Sequence, residues 1–302
     1  MRSIVIPAKA GIQSRRRYAI AVHGGCGRWD GGDTRAALRG VRAAVEAARR
    51  LLAGGASALD AVCAAVVVLE DDPLFNAGTG STLNREGDAE MDASVMAGEQ
   101  LRCGGVAAIR RVRNPVLVAR RVMEETPHVL LAGRGAIAFA RHQGFRDYDP
   151  ITRESRLRFR SAMAAEAAAG TVGAVALDAE GRLAAATSTG GTALKLPGRV
   201  GDSPVPGAGN YATRSAAASA TGRGELILRH AVTKSLCDRV AAGRSAARAT
   251  RETLQRLPLE RGESIGVIAL DRRAGIGVTL RGGSMPHAWF VGGAGRVVAR
   301  MR

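Results

Sequence analysis

Apolar and polar positions alternate in blocks along this chain. The first block is Tyr18–Val22, a short run of the kind that forms a buried strand, ending at His23-Gly24-Gly25. Leu38, Val41, Val45 and Leu52 then recur at helical spacing with arginines on the other side, which predicts an amphipathic helix over Thr34–Leu52 stopped by Gly54-Gly55. Ser57-Ala58-Leu59-Asp60 has the spacing of a capping box, so a second helix carries Val62, Ala65, Val66 and Leu69 and ends before Pro73. Strands are expected over Met91–Met96 and Gly104–Val112. A helix should start at Asn114-Pro115 and end near Thr126-Pro127, and another should span about Arg134–His142. From Phe145 to Gly170 no clear period is visible.

The centre of the chain is a hairpin. Ala169-Gly170-Thr171 leads into the run Val172–Leu177, a turn at Ala179-Glu180-Gly181 follows, and the second arm, Leu183–Ala186, continues into Thr187-Ser188-Thr189-Gly190-Gly191. Its first arm opens on a hydroxyl residue and its second returns another, Thr189, beside it. A helix is expected through Leu226, Ile227 and Ala231, and another over about Ala246–Leu257. Strands are expected at Ile265–Leu270, Ile276–Leu280 and Ala288–Val291. Helices and strands come in blocks rather than in strict β-α-β alternation, which argues for α+β with antiparallel sheets.

Composition changes the picture only at the edges. The 302 residues can make one large or two ordinary domains, and aromatics at 3% leave the core to Ala, Val and Leu. No apolar run approaches the ~20 residues of a membrane helix, so no membrane partner is expected. The net charge is +17, from 44 basic residues of which only 3 are Lys. Acidic residues are interspersed among the arginines and no stretch interleaves basic with aromatic residues, so the charge reads as Arg bias rather than a nucleic-acid site. Residues 1–17 carry five positive charges and no negative one. Pro7 breaks their one apolar run, which is too short for a signal peptide. The wording from Ile4 to Gln13 resembles a translated intergenic repeat, and the segment is expected to lie outside the fold. Cys26, Cys63, Cys103 and Cys237 lack C-x-x-C spacing, Cys63 and Cys237 read as core thiols, and a cytoplasmic setting is expected.

If the chain were cut between Gly170 and Thr171, Thr171 would carry a free α-amine beside its own hydroxyl, a nucleophile with a built-in base. The order Gly-Thr-Val-Gly-Ala-Val-Ala-Leu-Asp, Thr-Ser-Thr-Gly-Gly, Leu196-Pro197-Gly198-Arg199-Val200-Gly201-Asp202-Ser203-Pro204 and Gly207-Ala208-Gly209 resembles the plant-type asparaginase and isoaspartyl peptidase family, from about residue 18 to the C-terminus. The resemblance implies a four-layer αββα sandwich of the N-terminal-nucleophile hydrolase type, with residues 18–302 forming one domain cut into 18–170 and 171–302. It implies hydrolysis of isoaspartyl dipeptides and L-asparagine through a threonyl acyl-enzyme.

By the same resemblance Thr171 is the nucleophile, Thr189 orients it, and Thr221 and Gly222 stabilise the oxyanion. Arg199 and Asp202 clamp the carboxylate and ammonium of a zwitterionic substrate, Asn76 faces the site, and His23 plays a supporting part. The loop Leu69–Ser81 would wrap a structural sodium ion with the main-chain carbonyls of Leu69, Glu70, Asp72, Phe75, Ala77 and Thr79, a donor set that suits a hard cation. No cofactor is implied for catalysis, and the assembly implied is a homodimer of cleaved units. One departure is Arg223, where the family often has Thr in Thr-Gly-Thr-Gly-Glu. Glycosylasparaginases, which usually show Asn at the position of Gly190, are the alternative within this fold. A non-catalytic nucleic-acid-binding protein is the alternative outside it.

Overall fold

The computed structural model describes residues 17–27, 29, 33–162, 170–293 and 295–301. All but Arg17 of the 1–17 tail, and the stretch 163–169 ahead of the hairpin, lie outside the described residues.

Strand β1 (Ala19–His23) lies between β5 (Thr171–Leu177) and β11 (Pro286–Val291) in an eight-stranded sheet of order β12-β11-β1-β5-β6-β2-β3-β4. Its other members are β2 (Met91–Ala97), β3 (Arg102–Ile109), β4 (Leu130–Ala132), β6 (Leu183–Thr189) and β12 (Val298–Met301). A four-stranded sheet has the order β10-β9-β8-β7, built from β7 (Asn210–Ala212), β8 (Ala216–Gly222), β9 (Ile265–Asp271) and β10 (Ile276–Arg281). Every pairing is antiparallel except β3 with β4. The mixed class with antiparallel sheets therefore holds.

Side-chain alternation sorts the core. On β5, Val172, Ala174 and Ala176 join a cluster with helices α1 (Asp33–Ala53), α2 (Ala58–Asp71) and α3 (Pro115–Glu125), while Val175 and Leu177 turn to the other face. On β8, Ala216, Ala218 and Ala220 pack toward α7 (Val232–Ala241) and α8 (Ala246–Gln255). Between the sheets, Val175, Leu177, Leu183 and Ala185 meet Ala217, Ile268 and Leu270. Strands buried on both faces explain why these runs read as continuously apolar.

Local signals placed several boundaries closely. Ser57 caps α2 through Asp60 N, and Asp60 returns the bond to Ser57 N. Three expectations need correction. Residues 145–170 contain a helix, α5 (Arg153–Ala162), whose Arg-rich faces hide the period. The single helix expected through Ala231 is two, α6 (Gly224–Arg229) and α7, broken where Ala231 takes a φ of 43°. Strand β8 was not expected, because Ala-Ala-Ala-Ser-Ala-Thr-Gly lacks the β-branched bulk that marks strands. The short strands β4 and β12 and helix α4 (Gly133–His142) complete the elements, of which only α4 was expected.

Candidate active site

Odd-numbered positions of β5 and β6 face the seam between the two sheets, where Val175, Leu177, Leu183 and Ala185 are apolar. The same faces end in hydroxyls: Thr171, Thr187 and Thr189. Across the seam, β8 contributes Ser219 and Thr221 beyond Ala217, and β1 contributes His23 beyond Ala19 and Ala21. One end of an apolar seam is thus lined with hydroxyls, all nearly inaccessible: Thr171 is 7% exposed and Thr189 is 3% exposed.

Hairpin register sets Thr171 directly opposite Thr189. The Thr171 hydroxyl donates to Thr189 Oγ1 at 3.2 Å, Thr189 Oγ1 donates to the Gly170 carbonyl at 3.2 Å, and Gly191 N–H donates to Thr189 Oγ1 at 2.9 Å. A hydroxyl offers one donor and two acceptor sites, so Thr189 is fully used. Its two side-chain bonds join the hydroxyl of Thr171 to the carbonyl just before it.

Close backbone approach builds the rest. Gly25 has a φ of 97°, and a Cβ there would lie 2.8 Å from Thr171 N and 2.9 Å from Gly170 Cα. The Gly24-Gly25 turn is therefore packed on the Gly170–Thr171 bond, as only glycine allows. Asn76 is close as well, its Cβ 3.7 Å from where a Cβ at Gly170 would sit. Its Nδ2 donates to Gly191 O at 2.7 Å, its Oδ1 accepts from Thr82 N at 2.8 Å, and its carbonyl accepts from Gly190 N at 2.9 Å. Gly190 itself has no room for a side chain, since a Cβ would sit 2.4 Å from Asn76 Oδ1.

His23 is fully buried and shares a hydrogen bond of 2.8 Å with Ser219 Oγ, which in turn bonds Thr187 Oγ1 at 2.8 Å. Burial, reinforced by His287, pushes the His23 pKa down to about 3, so its ring is neutral. A Cβ at Gly173 would meet both Ser219 Oγ and His23 Nε2, so the ring packs over the β5 backbone two residues beyond Thr171.

Thr221 and Gly222 end β8. Gly222, at a φ of 127°, abuts Ser264 and Cys26. The residue that organises this end is Cys26. Its N–H donates to Thr221 Oγ1 at 3.1 Å and its thiol donates to Thr221 O at 3.3 Å. Burial raises the Cys26 thiol above its ordinary range, which keeps it a donor. Sequence reading gave Cys26 no role, because its partner lies 195 residues away.

Arg199 and Asp202 sit in the long connection between β6 and β7. Arg199 directs Nε and Nη2 onto Glu225 Oε1 at 3.0 and 2.8 Å. Asp202 is 4% exposed, with Oδ2 lacking a hydrogen-bond partner. Burial pushes its carboxyl up to about 7, against the pull of Arg199. A Cβ at Gly224 would lie 2.7 Å from Arg199 Nη2 and 2.9 Å from Asp202 Oδ1, so both groups converge on one point of backbone. Two acids that sequence reading passed over pin this loop. Glu90 Oε2 accepts from Gly198 N at 2.9 Å, and Asp92 Oδ2 accepts from Gly201 N at 3.1 Å. Glu90 and Asp92 are the alternating acids at the head of β2, but nothing local identifies what they hold.

A cleft of about 1010 Å³ opens over this region, with Arg199, Gly222, Arg223 and Glu225 on its walls. Arg223 is ion-paired with Glu263 at the rim.

In the loop Leu69–Ser81, Glu70 O accepts from Thr79 N at 2.7 Å and Asp72 O accepts from Phe75 N at 3.1 Å, which leaves each carbonyl a second lone pair. The Glu70 side chain is wholly buried: its Oε1 accepts from Val116 N at 3.0 Å, Oε2 has no hydrogen-bond partner, and burial raises its pKa to about 8. The main-chain carbonyls of Glu70 and Asp72, each with a spare lone pair, are oxygen donors of the kind that fits a hard cation.

Comparison with known proteins gives one consistent result. The model of the asparaginase family matches residues 16–296. A plant-type L-asparaginase of Pyrococcus abyssi is 43% identical over 294 residues, covering 90% of this chain and 96% of its own length. An isoaspartyl peptidase of Escherichia coli is 41% identical over 302 residues, covering 92% and 94%. An isoaspartyl peptidase/L-asparaginase of Bos taurus is 40% identical over 282 residues, covering 89% and 92%.

Proposed function

The chain belongs to the asparaginase family, and from that premise we propose that it is a self-cleaving amidohydrolase acting on isoaspartyl dipeptides and L-asparagine. The observation that carries this reading is the linked trio of Thr171 Oγ1, Thr189 Oγ1 and the Gly170 carbonyl.

Maturation begins in the uncut chain. Thr171 Oγ attacks the Gly170 carbonyl carbon and passes its proton toward Thr189. The Thr189 hydroxyl, already on that carbonyl oxygen, offsets the charge that develops there. The C–N bond breaks as the Thr171 nitrogen takes up that proton, leaving an ester, and water hydrolyses the ester to a Gly170 carboxylate, the Thr171 hydroxyl and its free α-amine. The products are residues 1–170 and 171–302.

In the mature enzyme the α-amine takes the proton from Thr171 Oγ as that oxygen attacks the substrate's side-chain carbonyl. Thr221 and Gly222, held by Cys26, receive the oxyanion. Ammonia or an amino acid leaves, and water releases aspartate from the acyl-enzyme. Arg199 takes the α-carboxylate and Asp202 the α-ammonium. Capture of the substrate requires Arg199 to trade Glu225 for the incoming carboxylate. Glu225 is half-exposed, so its release costs little.

The two layers of helices and two of sheet suit a four-layer αββα sandwich of the N-terminal-nucleophile type, with 18–302 as a single domain. A sodium ion in the loop Leu69–Ser81 would be structural, held by the carbonyls of Leu69, Glu70, Asp72, Phe75, Ala77 and Thr79. The assembly we propose is a homodimer of cleaved units. Four unpaired cysteines suit a cytoplasmic setting, and among the described residues no helix is long and apolar enough to cross a membrane. Glycosylasparaginase activity is disfavoured because Gly190 leaves no space for the Asn side chain. A nucleic-acid role is disfavoured because many arginines are spent on local carboxylates, as at Arg110, Arg120 and Arg182.

The test is steady-state hydrolysis of asparagine, a β-aspartyl dipeptide and an N-glycosylated asparagine by the purified protein. Turnover of the first two supports the reading. Turnover of the glycosylated substrate alone, or of none, overturns it.

A further inference from the structure

The cleft is much larger than an aspartyl group requires, and its surplus is cationic. Beyond Arg199 and Gly222 its walls include Arg85, Lys195 and Arg223. Arg199 and Arg223 are committed to Glu225 and Glu263. Lys195 is buried, and its ammonium donates to Glu90 O at 2.7 Å. Arg85 differs. It is exposed, its Nε donates to Leu194 O at 3.2 Å, and among the described residues it forms no ion pair with a carboxylate. The carbonyl contact orients the guanidinium and leaves both terminal nitrogens to a ligand. Arg85 N–H also donates to Lys195 O at 3.0 Å, so the residue is tied to the wall that runs from Thr192 to Leu196.

Resting on the function proposed above, we infer that Arg85 binds the carboxylate of the leaving amino acid, so that the cleft prefers β-aspartyl dipeptides ending in a free carboxylate. The two substrate classes differ chemically at this point. Asparagine expels ammonia, which has no carboxylate. A β-aspartyl dipeptide expels an amino acid whose α-carboxylate sits beyond the scissile bond. Arg199 is the partner of the retained half, so the released half needs a second cation. A guanidinium presents the planar pair of donors that a carboxylate accepts.

The experiment measures kcat/KM for asparagine, β-aspartyl-leucine and β-aspartyl-leucine amide with the wild type, Arg85→Gln and Arg85→Lys. Relative to asparagine, the wild type should favour the acid over the amide by roughly tenfold, a charge-assisted contact at a wet rim. Arg85→Gln should bring the ratio close to one through a higher KM for the acid, and Arg85→Lys should restore part of it. An acid-to-amide ratio unchanged by Arg85→Gln overturns the subsite while leaving the hydrolase reading intact. A parallel loss on all three substrates also overturns it, since Arg85 would then act on folding or chemistry. Failure of the wild type on all three overturns the function itself, and the subsite with it.

Discussion

Thr189 Oγ1 stands 3.2 Å from Thr171 Oγ1 and 3.2 Å from the carbonyl oxygen of Gly170, joining the Thr171 hydroxyl to the peptide bond just before it. Replacement of Thr189 by Val keeps the shape but strands the Thr171 hydroxyl and the Gly191 N–H in a buried site. A stranded buried polar group costs about 1–3 kcal/mol of stability, and removing a prepositioned donor from a developing oxyanion costs roughly a hundredfold in rate. Thr189→Val should therefore slow fragment formation by at least about tenfold on a gel time course while the melting temperature falls by a few degrees. Cleavage at the wild-type rate would remove Thr189 from the mechanism.

This relationship was partly legible in the sequence. The hairpin could be read from two apolar runs and a Gly turn, and the register that pairs Thr171 with Thr189 follows from a short loop. Family motifs pointed to Arg199, Asp202, Thr221 and Gly222 as well. What could not be read is the support behind them. Cys26 holds Thr221 across the seam, Glu90 and Asp92 hold the Arg199 loop by its backbone, and Gly25 owes its necessity to Gly170. These contacts join residues about 100 to 200 positions apart through backbone atoms, which carry no residue code. The fold failed to show locally where packing overrode pattern, as in the Ala-rich β8 and the Arg-rich α5.

Gly190 leaves no space for the Asn side chain that the glycosylasparaginase reading would place there. An Asn side chain there would drive its Cβ to 2.4 Å from Asn76 Oδ1 and 2.8 Å from Thr82 N. Forced overpacking of this kind costs about 1–3 kcal/mol. Gly190→Asn should lower the melting temperature by several degrees and slow cleavage, with no gain of activity on glycosylated asparagine. A variant of unchanged stability would show that the Asn76 loop yields freely.

Asp202 makes both stability and binding depend on pH. Burial raises its folded-state pKa to about 7 from the ordinary 3.8, so the folded protein holds the proton more tightly than the unfolded chain. The stability this confers is full below about 4 and is lost as pH rises through 7. Asp202→Asn should therefore gain stability relative to wild type between pH 5 and pH 8, as measured by thermal melts. Binding runs the other way: the carboxylate that holds an ammonium forms only as pH passes 7, so the KM for asparagine should fall over that range in wild type and stay high in the variant. A KM independent of pH, or equal in both proteins, contradicts the assigned partner.

Arg199 separates capture from self-cleavage, because the scissile bond is tethered and a free zwitterion is not. Arg199→Leu should mature normally yet lose roughly tenfold to a hundredfold in kcat/KM, the equivalent of about 1.5–3 kcal/mol for a charge-assisted contact. Arg199→Lys should recover part, since an ammonium cannot form the planar fork. Because Arg199 holds the Asp202 pKa down, its loss should also move the KM transition above pH 7. Wild-type efficiency in Arg199→Leu would leave the carboxylate without its assigned partner.

By the mechanism proposed above, Thr171 cuts the chain and then works from the new terminus. Intact mass spectrometry of the freshly purified protein, repeated over days of incubation and run in parallel on Thr171→Ala, tests it most directly. The full chain should convert to two fragments split between Gly170 and Thr171, with hydrolysis of asparagine rising in step, while Thr171→Ala stays whole and inactive. A wild type that turns over substrate as one uncut chain, or an active Thr171→Ala, would contradict it.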